Sequence, residues 1–191
     1  MKICVVSGSR ADAGLLAWPI KMLKEDSFFD VDVLNIHGKT FSEGHEIAES
    51  RIVADLPDCV LLLGDRFEIL AATIAAHLQR TPIAHIGGGD VTEGSYDDAM
   101  RDSISRMAAI HFTTSASAAH RLTGLGYRNV YNVGSPGIDF IIHGDWLGVR
   151  PIQEPYVVVS YQAETIDDTV DLDAVRAAIG GRKAVWITPN P

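Results

Sequence analysis

The sequence predicts a doubly wound α/β fold, in which helices cover both faces of a parallel β-sheet. Short runs rich in β-branched residues alternate along the chain with longer stretches whose apolar residues recur at helical spacing. Repetition of the strand, helix, strand order produces right-handed crossovers and a parallel sheet. The run at residues 59–63 is apolar at every position, which is typical of a strand buried on both faces.

The elements follow from these patterns in chain order. Strands are predicted at residues 2–7, 31–36, 59–63, 83–86, 111–114, 130–133, 156–161 and 184–188. Helices are predicted at residues 15–24, 67–79, 96–108, 116–125 and 172–179. Pro19 falls in the first helix, where a proline is tolerated only near the first turn or at a kink.

The segment 143–155 interrupts the alternation and predicts a linker, because HGDWLGVRPIQEP holds two glycines and two prolines. We therefore divide the chain into a domain at residues 1–142, this linker, and a partial strand–helix–strand unit at residues 156–191. So small a unit cannot bury both faces of its own sheet. Its apolar side chains need a cover, so we expect a homo-oligomer.

Composition and charge exclude several classes of protein. Sixteen Lys and Arg against 25 Asp and Glu give a net charge of −9, which disfavours binding to nucleic acid. No apolar run approaches the roughly 20 residues that cross a bilayer, so no membrane partner is expected. The two cysteines form no Cys-x-x-Cys pair, which indicates a reduced, cytoplasmic compartment. We expect a soluble protein.

Ligands of an open parallel sheet bind beyond the carboxyl ends of its strands, so polar groups at those ends are the candidates. Gly88, Gly89 and Asp90 belong to a three-glycine stretch after the fourth strand. Such a stretch loses much chain entropy on folding, which indicates close approach by a ligand or another backbone. Asp65 follows the third strand, and an N-cap is its alternative role. Arg10 follows the first strand, and a solvated side chain is its alternative.

Two further strand exits carry candidates. Asp97 and Arg101 stand four residues apart on one helix face, where an ordinary surface ion pair is the alternative. Ser135 opens a turn into a short helix whose N–H groups could hold an anion, unless the turn is a plain connection. Together, carboxylates and arginines at one edge of the sheet predict proton transfer on a phosphorylated sugar or nucleotide.

Metal and serine-nucleophile chemistry are disfavoured by the motifs. The seven histidines show no H-E-x-x-H or other ligand spacing, so no metal site is expected. The sequence contains neither a G-x-S-x-G elbow nor the lysine of a P-loop.

Four segments, taken together, resemble the hydrolysing UDP-N-acetylglucosamine 2-epimerases, which begin the synthesis of sialic acid and related sugars. They are VVSGSRADAGLL, LLLGDRFEILAA, IAHIGGGDVTEGSYDDAMRDSISRMAAIHF and NVGSPGID, and they follow the family's order across most of residues 1–142. The resemblance implies a glycosyltransferase-B-like fold of two Rossmann-type domains with the active site between them. The present chain would supply the first domain and part of the second.

The resemblance also implies a reaction. The proton at sugar C2 is removed, UDP leaves by elimination to form a glycal, and water adds to give free N-acetylmannosamine. No metal and no nicotinamide cofactor takes part. Carried over by motif, Asp65, Asp90 and Asp97 are the catalytic candidates. The predicted substrate contacts are Arg10, Gly88, Gly89, Arg101, Ser135 and Gln162.

Three differences from the family pattern leave other functions open. The stretch between Gly38 and Pro57 is shorter than in the family, as if a helix had been removed. Gln162 replaces a histidine of the family's Tyr-His-Pro-Glu-Thr pattern, and glutamine cannot carry a proton. The sequence ends before the Ser-Gly-Glu segment that grips UDP. A second subunit could supply that wall, the substrate could be a smaller nucleotide whose glycosidic bond is hydrolysed, or the protein could bind nucleotides without catalysis.

Overall fold

The computed structural model describes residues 1–144, 152–161 and 171–187, which belong to two compact units. The first unit contains residues 1–92 and 97–144. The second contains Glu93–Tyr96 together with the described residues that follow the first unit.

The first unit is built on a six-stranded parallel sheet in the order β2-β1-β3-β4-β5-β6. Its strands are β1 (Lys2–Ser7), β2 (Asp30–Asn35), β3 (Cys59–Leu63), β4 (Ile83–Ile86), β5 (Ile110–Thr113) and β6 (Val130–Asn132). Its helices are α1 (Arg10–Glu25), α2 (Phe41–Asp55), α3 (Phe67–Leu78), α4 (Asp97–Met107), α5 (Ala116–Gly124) and α6 (Pro136–His143). The predicted doubly wound, Rossmann-like α/β fold is therefore confirmed.

Alternate residues of each central strand enter separate hydrophobic cores on the two faces of the sheet. Along β1, Cys4 and Val6 join the core that α2, α3 and α4 complete, whereas Ile3 and Val5 join the core beneath α1. Successive side chains of a strand point to opposite faces, so a strand covered on both faces must be apolar at every position. This requirement explains the continuous apolar runs in the sequence.

One helix is absent from the sequence prediction. The α2 helix (Phe41–Asp55) lies in the stretch that the sequence comparison with the family pattern indicates to be shortened, and the shortening itself stays a prediction. The Thr40 side chain accepts a hydrogen bond from the Glu43 backbone N–H, and the Glu43 carboxylate accepts from the Thr40 N–H. This capping box is a sequence signal for a helix start. The buried side of α2 is narrow, which weakens its apolar periodicity.

One helix start differs from the prediction by a full turn or more. The α1 helix begins at Arg10, five residues before the predicted start at Leu15, because the Ser9 side chain accepts a hydrogen bond from the Asp12 N–H at 3.2 Å. The helix continues through Pro19, so this proline does not lie in the first turn. The α6 helix, which begins directly after Ser135, is the short helix that the sequence predicts there.

The second unit contains β7 (Tyr156–Ser160), α7 (Leu172–Ile179) and β8 (Lys183–Ile187), and its two strands pair in parallel. These elements match the predicted strand–helix–strand order. The precise bounds of the predicted domains and linker stay a prediction. No helix in the described ranges of either unit is both long enough and apolar enough to span a bilayer.

Candidate active site

A small cavity lies at the carboxyl ends of β3, β4 and β5, where the fold places the strand exits side by side. Its volume is about 130 Å³, and its lining includes Asp65, Asp90, Arg101, Thr114 and Ser135. Four of these five residues are candidates from the sequence, contributed by separate segments of the chain. The parallel sheet brings them together because all of its strands end at the same edge.

Arg101 is the organising side chain of this cavity, and only 7% of it is exposed. Its Nη2 forms an ion pair with Asp65 and its Nη1 forms another with Asp98. Nη1 also donates to the Asp90 backbone carbonyl at 2.8 Å, and Nη2 donates to the Thr92 hydroxyl at 3.1 Å. Both terminal nitrogens therefore have two protein acceptors each. Because protein acceptors already occupy these nitrogens, Arg101 is better suited to orienting the cavity carboxylates than to binding a negatively charged substrate directly.

The Asp90 carboxylate is held differently from that of Asp65. Its Oδ2 accepts a hydrogen bond from the Thr114 hydroxyl at 2.7 Å. The Arg121 guanidinium reaches only the Asp90 backbone carbonyl, at 3.2 Å, and pairs with the Asp102 carboxylate at 3.0 Å. Among the residues that the structure describes, no cationic side chain forms an ion pair with the Asp90 carboxylate. Asp90 is therefore the more available proton acceptor of the two cavity carboxylates.

The glycine stretch packs against protein rather than into the cavity at two of its positions. A Cβ added to Gly88 would lie 2.6 Å from the Ser105 hydroxyl oxygen, and one added to Gly89 would lie 2.6 Å from the Ala118 carbonyl oxygen. Close approach of neighbouring protein atoms thus accounts for both glycines. Their predicted contact with substrate stays a prediction, and Gly87 is the glycine of the three that lines the cavity.

Gly89→Ala should destabilise the protein more than Gly126→Ala does. Both glycines have φ of +85°, but nothing lies within 4 Å of a Cβ at Gly126. Both alanines carry the same backbone strain, and only Gly89→Ala adds overlap with α5. We expect an additional loss of about 1–3 kcal/mol in the free energy of unfolding, measured with urea. Equal losses in the two variants would contradict this explanation.

The remaining predicted site residues lie outside the lining of this cavity. Arg10 is exposed at the first position of α1. Asp97 is half-buried at the start of α4. Asp97 lies near enough to Arg66 to affect its charge equilibrium. The pKa of Arg66 is raised mainly by its hydrogen bond to Glu68, and the negative charge of Asp97 adds to this shift. Gln162 falls outside the residues that the structure describes. The functional roles of all three stay predictions.

Sequence reasoning missed Thr114 because the predicted strand 111–114 included this residue, whereas β5 ends at Thr113. Thr114 directly follows β5, and the same search of strand exits that selected Asp65 and Asp90 applies to it. Asp98 was missed because helical spacing pointed to its neighbour Asp97 as the partner of Arg101. On α4 it is the Asp98 carboxylate, three residues before Arg101, that pairs with Arg101 Nη1.

A buried histidine contacts one residue of the cavity lining, Gly64. His85, in β4, is fully buried and its Nε2 lies 2.7 Å from the Gly64 carbonyl oxygen. Its Nδ1 lies 3.0 Å from the Ser105 hydroxyl oxygen. Burial lowers the pKa of His85 to about 4, and the charges of His111 and Arg101 act in the same direction. The imidazole is therefore neutral near pH 7.

His85 should make the stability of the protein depend on pH. An unfolded histidine binds a proton below about pH 6.5, whereas folded His85 binds one only near pH 4. Its contribution to stability is therefore complete above pH 6.5 and is lost as the pH falls toward 4. The slope is at most about 1.4 kcal/mol per pH unit.

Urea unfolding of the wild type and His85→Gln between pH 7 and pH 4 checks this expectation. The variant should show the flatter profile across the window. His111, whose pKa burial also lowers, remains in both proteins, so their difference isolates His85. Parallel profiles would contradict the expected shift.

Known proteins resemble this chain in sequence. Residues 17–179 match the family described as UDP-N-acetylglucosamine 2-epimerase. The hydrolysing UDP-N,N'-diacetylbacillosamine 2-epimerase of Legionella pneumophila is 31% identical over 180 residues, covering 74% of this chain and 48% of that protein. The hydrolysing GDP/UDP-N,N'-diacetylbacillosamine 2-epimerase of Campylobacter jejuni is 30% identical over 138 residues, and the match covers 71% of this chain and 34% of that protein. The chain thus spans less than half the length of these relatives.

Solved structures share the fold. The S. aureus MnaA–UDP co-structure has a TM-score of 0.76 at 20% identity, covering 83% of this chain and 53% of that chain. The UDP-GlcNAc 2-epimerase of Neisseria meningitidis bound to UDP-GlcNAc has a TM-score of 0.67 at 22% identity, covering 74% and 48%. At these identities the likeness concerns the fold alone.

Proposed function

Because the chain belongs to the UDP-N-acetylglucosamine 2-epimerase family, we propose that it acts on a nucleotide sugar as a hydrolysing 2-epimerase. The proposed substrate is UDP-N-acetylglucosamine and the products are UDP and free N-acetylmannosamine. One observation carries the proposal. Asp65, Asp90 and Arg101 come from three segments of the chain and meet in one cavity at the carboxyl edge of the sheet.

The proposed reaction has two steps. The Asp90 carboxylate takes the proton from sugar C2, the bond between C1 and the UDP oxygen breaks, and UDP leaves with its electron pair. A C1–C2 double bond remains. Water then adds across this bond, its hydroxyl to C1 and a proton to C2 on the opposite face, and the proton held by Asp90 passes to solvent. Asp65 lines the same cavity and is our candidate for taking a proton from the adding water and delivering it to C2, so that its carboxylate is regenerated.

The size and charge of the cavity suit the sugar better than the whole substrate. Its volume of about 130 Å³ is below the roughly 300–1,000 Å³ of typical ligand pockets. Two carboxylates and one guanidinium line it, so the charge of the lining is negative and disfavours a diphosphate. In this proposal the sugar ring enters the cavity and the diphosphate lies outside it.

The test is incubation of the full chain with UDP-N-acetylglucosamine, with free UDP measured enzymatically and the sugar product identified by NMR. UDP with N-acetylmannosamine supports the proposal. EDTA should not change the rate, because the family resemblance implies chemistry without a metal.

Other outcomes identify the alternatives. Mass spectrometry on a panel of nucleotides would reveal hydrolysis of a smaller substrate. Calorimetric binding without any product would indicate a nucleotide-binding protein. Either result, or neither binding nor turnover, would contradict the proposed function.

Self-association is a further part of the proposal. In the second unit, Val158, Trp186 and Ile187 have more than a third of their surface exposed, and burial of such residues favours association. Light scattering over a range of concentrations should show a mass above that of one chain. A monomer at every concentration would contradict this expectation.

A further inference from the structure

The imidazole of His85 links the two elements that carry the Asp65–Arg101 ion pair. Its Nε2 contacts the carbonyl of Gly64, the residue directly before Asp65. Its Nδ1 contacts the hydroxyl of Ser105, which lies four residues after Arg101 on α4. The ring therefore joins the β3–α3 loop to α4 from the side of the sheet.

The partners determine the tautomer of the ring. A backbone carbonyl can only accept, so the Nε2 of His85 carries the hydrogen and donates to Gly64. Nδ1 of the neutral ring then has no hydrogen and accepts from the Ser105 hydroxyl. Both ring nitrogens are used, and Ser105 is as fully buried as His85.

The glycine stretch creates the room for this link. A Cβ at Gly88 would lie 2.6 Å from the Ser105 Oγ and 3.0 Å from the His85 Nδ1. A side chain at Gly88 would therefore enter the space where the two residues meet. The absence of a Cβ at this position lets α4 approach β4 closely enough for the hydrogen bond.

We propose that His85 and Ser105 are positioning residues that hold Asp65 and Arg101 in the geometry needed for proton transfer. They do not touch the substrate. His85 keeps the Gly64–Asp65 turn in place, and Ser105 connects that turn to the helix of Arg101. This inference rests on the proposed function for its kinetic consequences, but its structural part is independent of turnover.

Two substitutions of His85 distinguish loss of its hydrogen bond to Gly64 from the general effect of replacing a buried imidazole. The amide of His85→Gln reaches the place of Nε2 and can still donate to Gly64, whereas the shorter amide of His85→Asn reaches only the place of Nδ1. His111→Gln is the matched control, because His111 is buried beside His85 in the register of β4 and β5. Ser105→Ala is a milder fourth variant that removes one hydroxyl group.

The first measurement is hydrogen exchange of the Arg101 Nη protons by NMR, which needs no turnover. His85→Asn and Ser105→Ala should speed exchange by up to about tenfold, the size of one net hydrogen bond. His85→Gln and His111→Gln should stay near the wild-type rate. Wild-type exchange in His85→Asn would overturn the proposal, as would a ¹⁵N spectrum showing His85 protonated on Nδ1.

The second measurement is the rate of UDP release. His85→Asn should lower kcat by about 10²-fold, as expected when reacting groups are misplaced by about 1 Å, with KM nearly unchanged. His85→Gln should restore most of kcat, and His111→Gln should keep it even if it melts earlier. Equal losses of kcat in His85→Asn and His111→Gln would overturn the proposal. If the wild type releases no UDP, the proposed function fails, and hydrogen exchange alone decides the positioning role.

Discussion

Asp65→Asn should lower the formation of N-acetylmannosamine from UDP-N-acetylglucosamine by about 10²–10⁴-fold, the range for loss of a general acid or base. Asparagine has nearly the shape of aspartate but carries no charge and cannot transfer the proton. The substitution also removes one of the two carboxylates that bind Arg101, so the guanidinium can shift toward Asp98. The loss should appear in kcat more than in KM.

Asp32→Asn provides the control for Asp65→Asn. Asp32 also pairs with an arginine, with 2.7 Å between its carboxylate and the Arg51 Nη2, but it lies on β2 at the far edge of the sheet. Turnover should be unchanged in this variant. Wild-type turnover in Asp65→Asn would refute the assignment of Asp65 to the reaction.

Arg101→Met should lower the free energy of unfolding by about 3–5 kcal/mol, the usual loss when one partner of a buried ion pair is removed. Methionine replaces the aliphatic stem but leaves the carboxylates of Asp65 and Asp98 without their shared cation. It also leaves the Asp90 carbonyl without the donor at 2.8 Å. Urea unfolding followed by circular dichroism measures the change.

Arg51→Met is the matched control for this stability effect. The Arg51 side chain is 45% exposed and pairs with Asp32 and Asp55, so it has the same number of carboxylate partners in a solvated place. The loss of stability in Arg51→Met should be much smaller than that in Arg101→Met, because solvent screens its ion pairs.

A double variant tests the coupling between Arg101 and Asp65. The loss of unfolding free energy in Arg101→Met with Asp65→Asn should be smaller than the sum of the losses in the two single variants. Additive losses would contradict a direct coupling between Arg101 and Asp65.

Local patterns were sufficient for most of the fold because strands and helices are specified by neighbours in the sequence. The continuous apolar run of β3 and its equivalents identified the buried parallel strands within one residue at most ends. The α2 helix was not predicted because only Gly44, Ala48 and Ile52 are fully buried, a stripe too narrow to stand out among its charged residues. Its capping box, from Thr40 to Glu43, was the signal to read.

The candidate site was predictable in its location but only partly in its contacts. The rule that ligands bind at the carboxyl ends of strands selected Asp65, Asp90 and Ser135, which line one cavity. The same rule applied to Arg10, but the side chain at the start of α1 is exposed and lies outside the lining. Strand exits indicate an edge of the sheet, and they do not indicate the direction in which each side chain turns.

The sequence by itself determined the succession of strands and helices along the chain, the negative net charge and the set of polar residues that follow the strands. The tertiary structure decided which of those residues meet. Asp65 and Arg101 are 36 residues apart, and Asp90 and Thr114 are 24 apart. Their contacts depend on β3, β4 and β5 lying side by side, and local periodicity carries no information about the order of strands across a sheet. The same holds for His85, whose role follows from two partners that only close packing of α4 against β4 brings within reach.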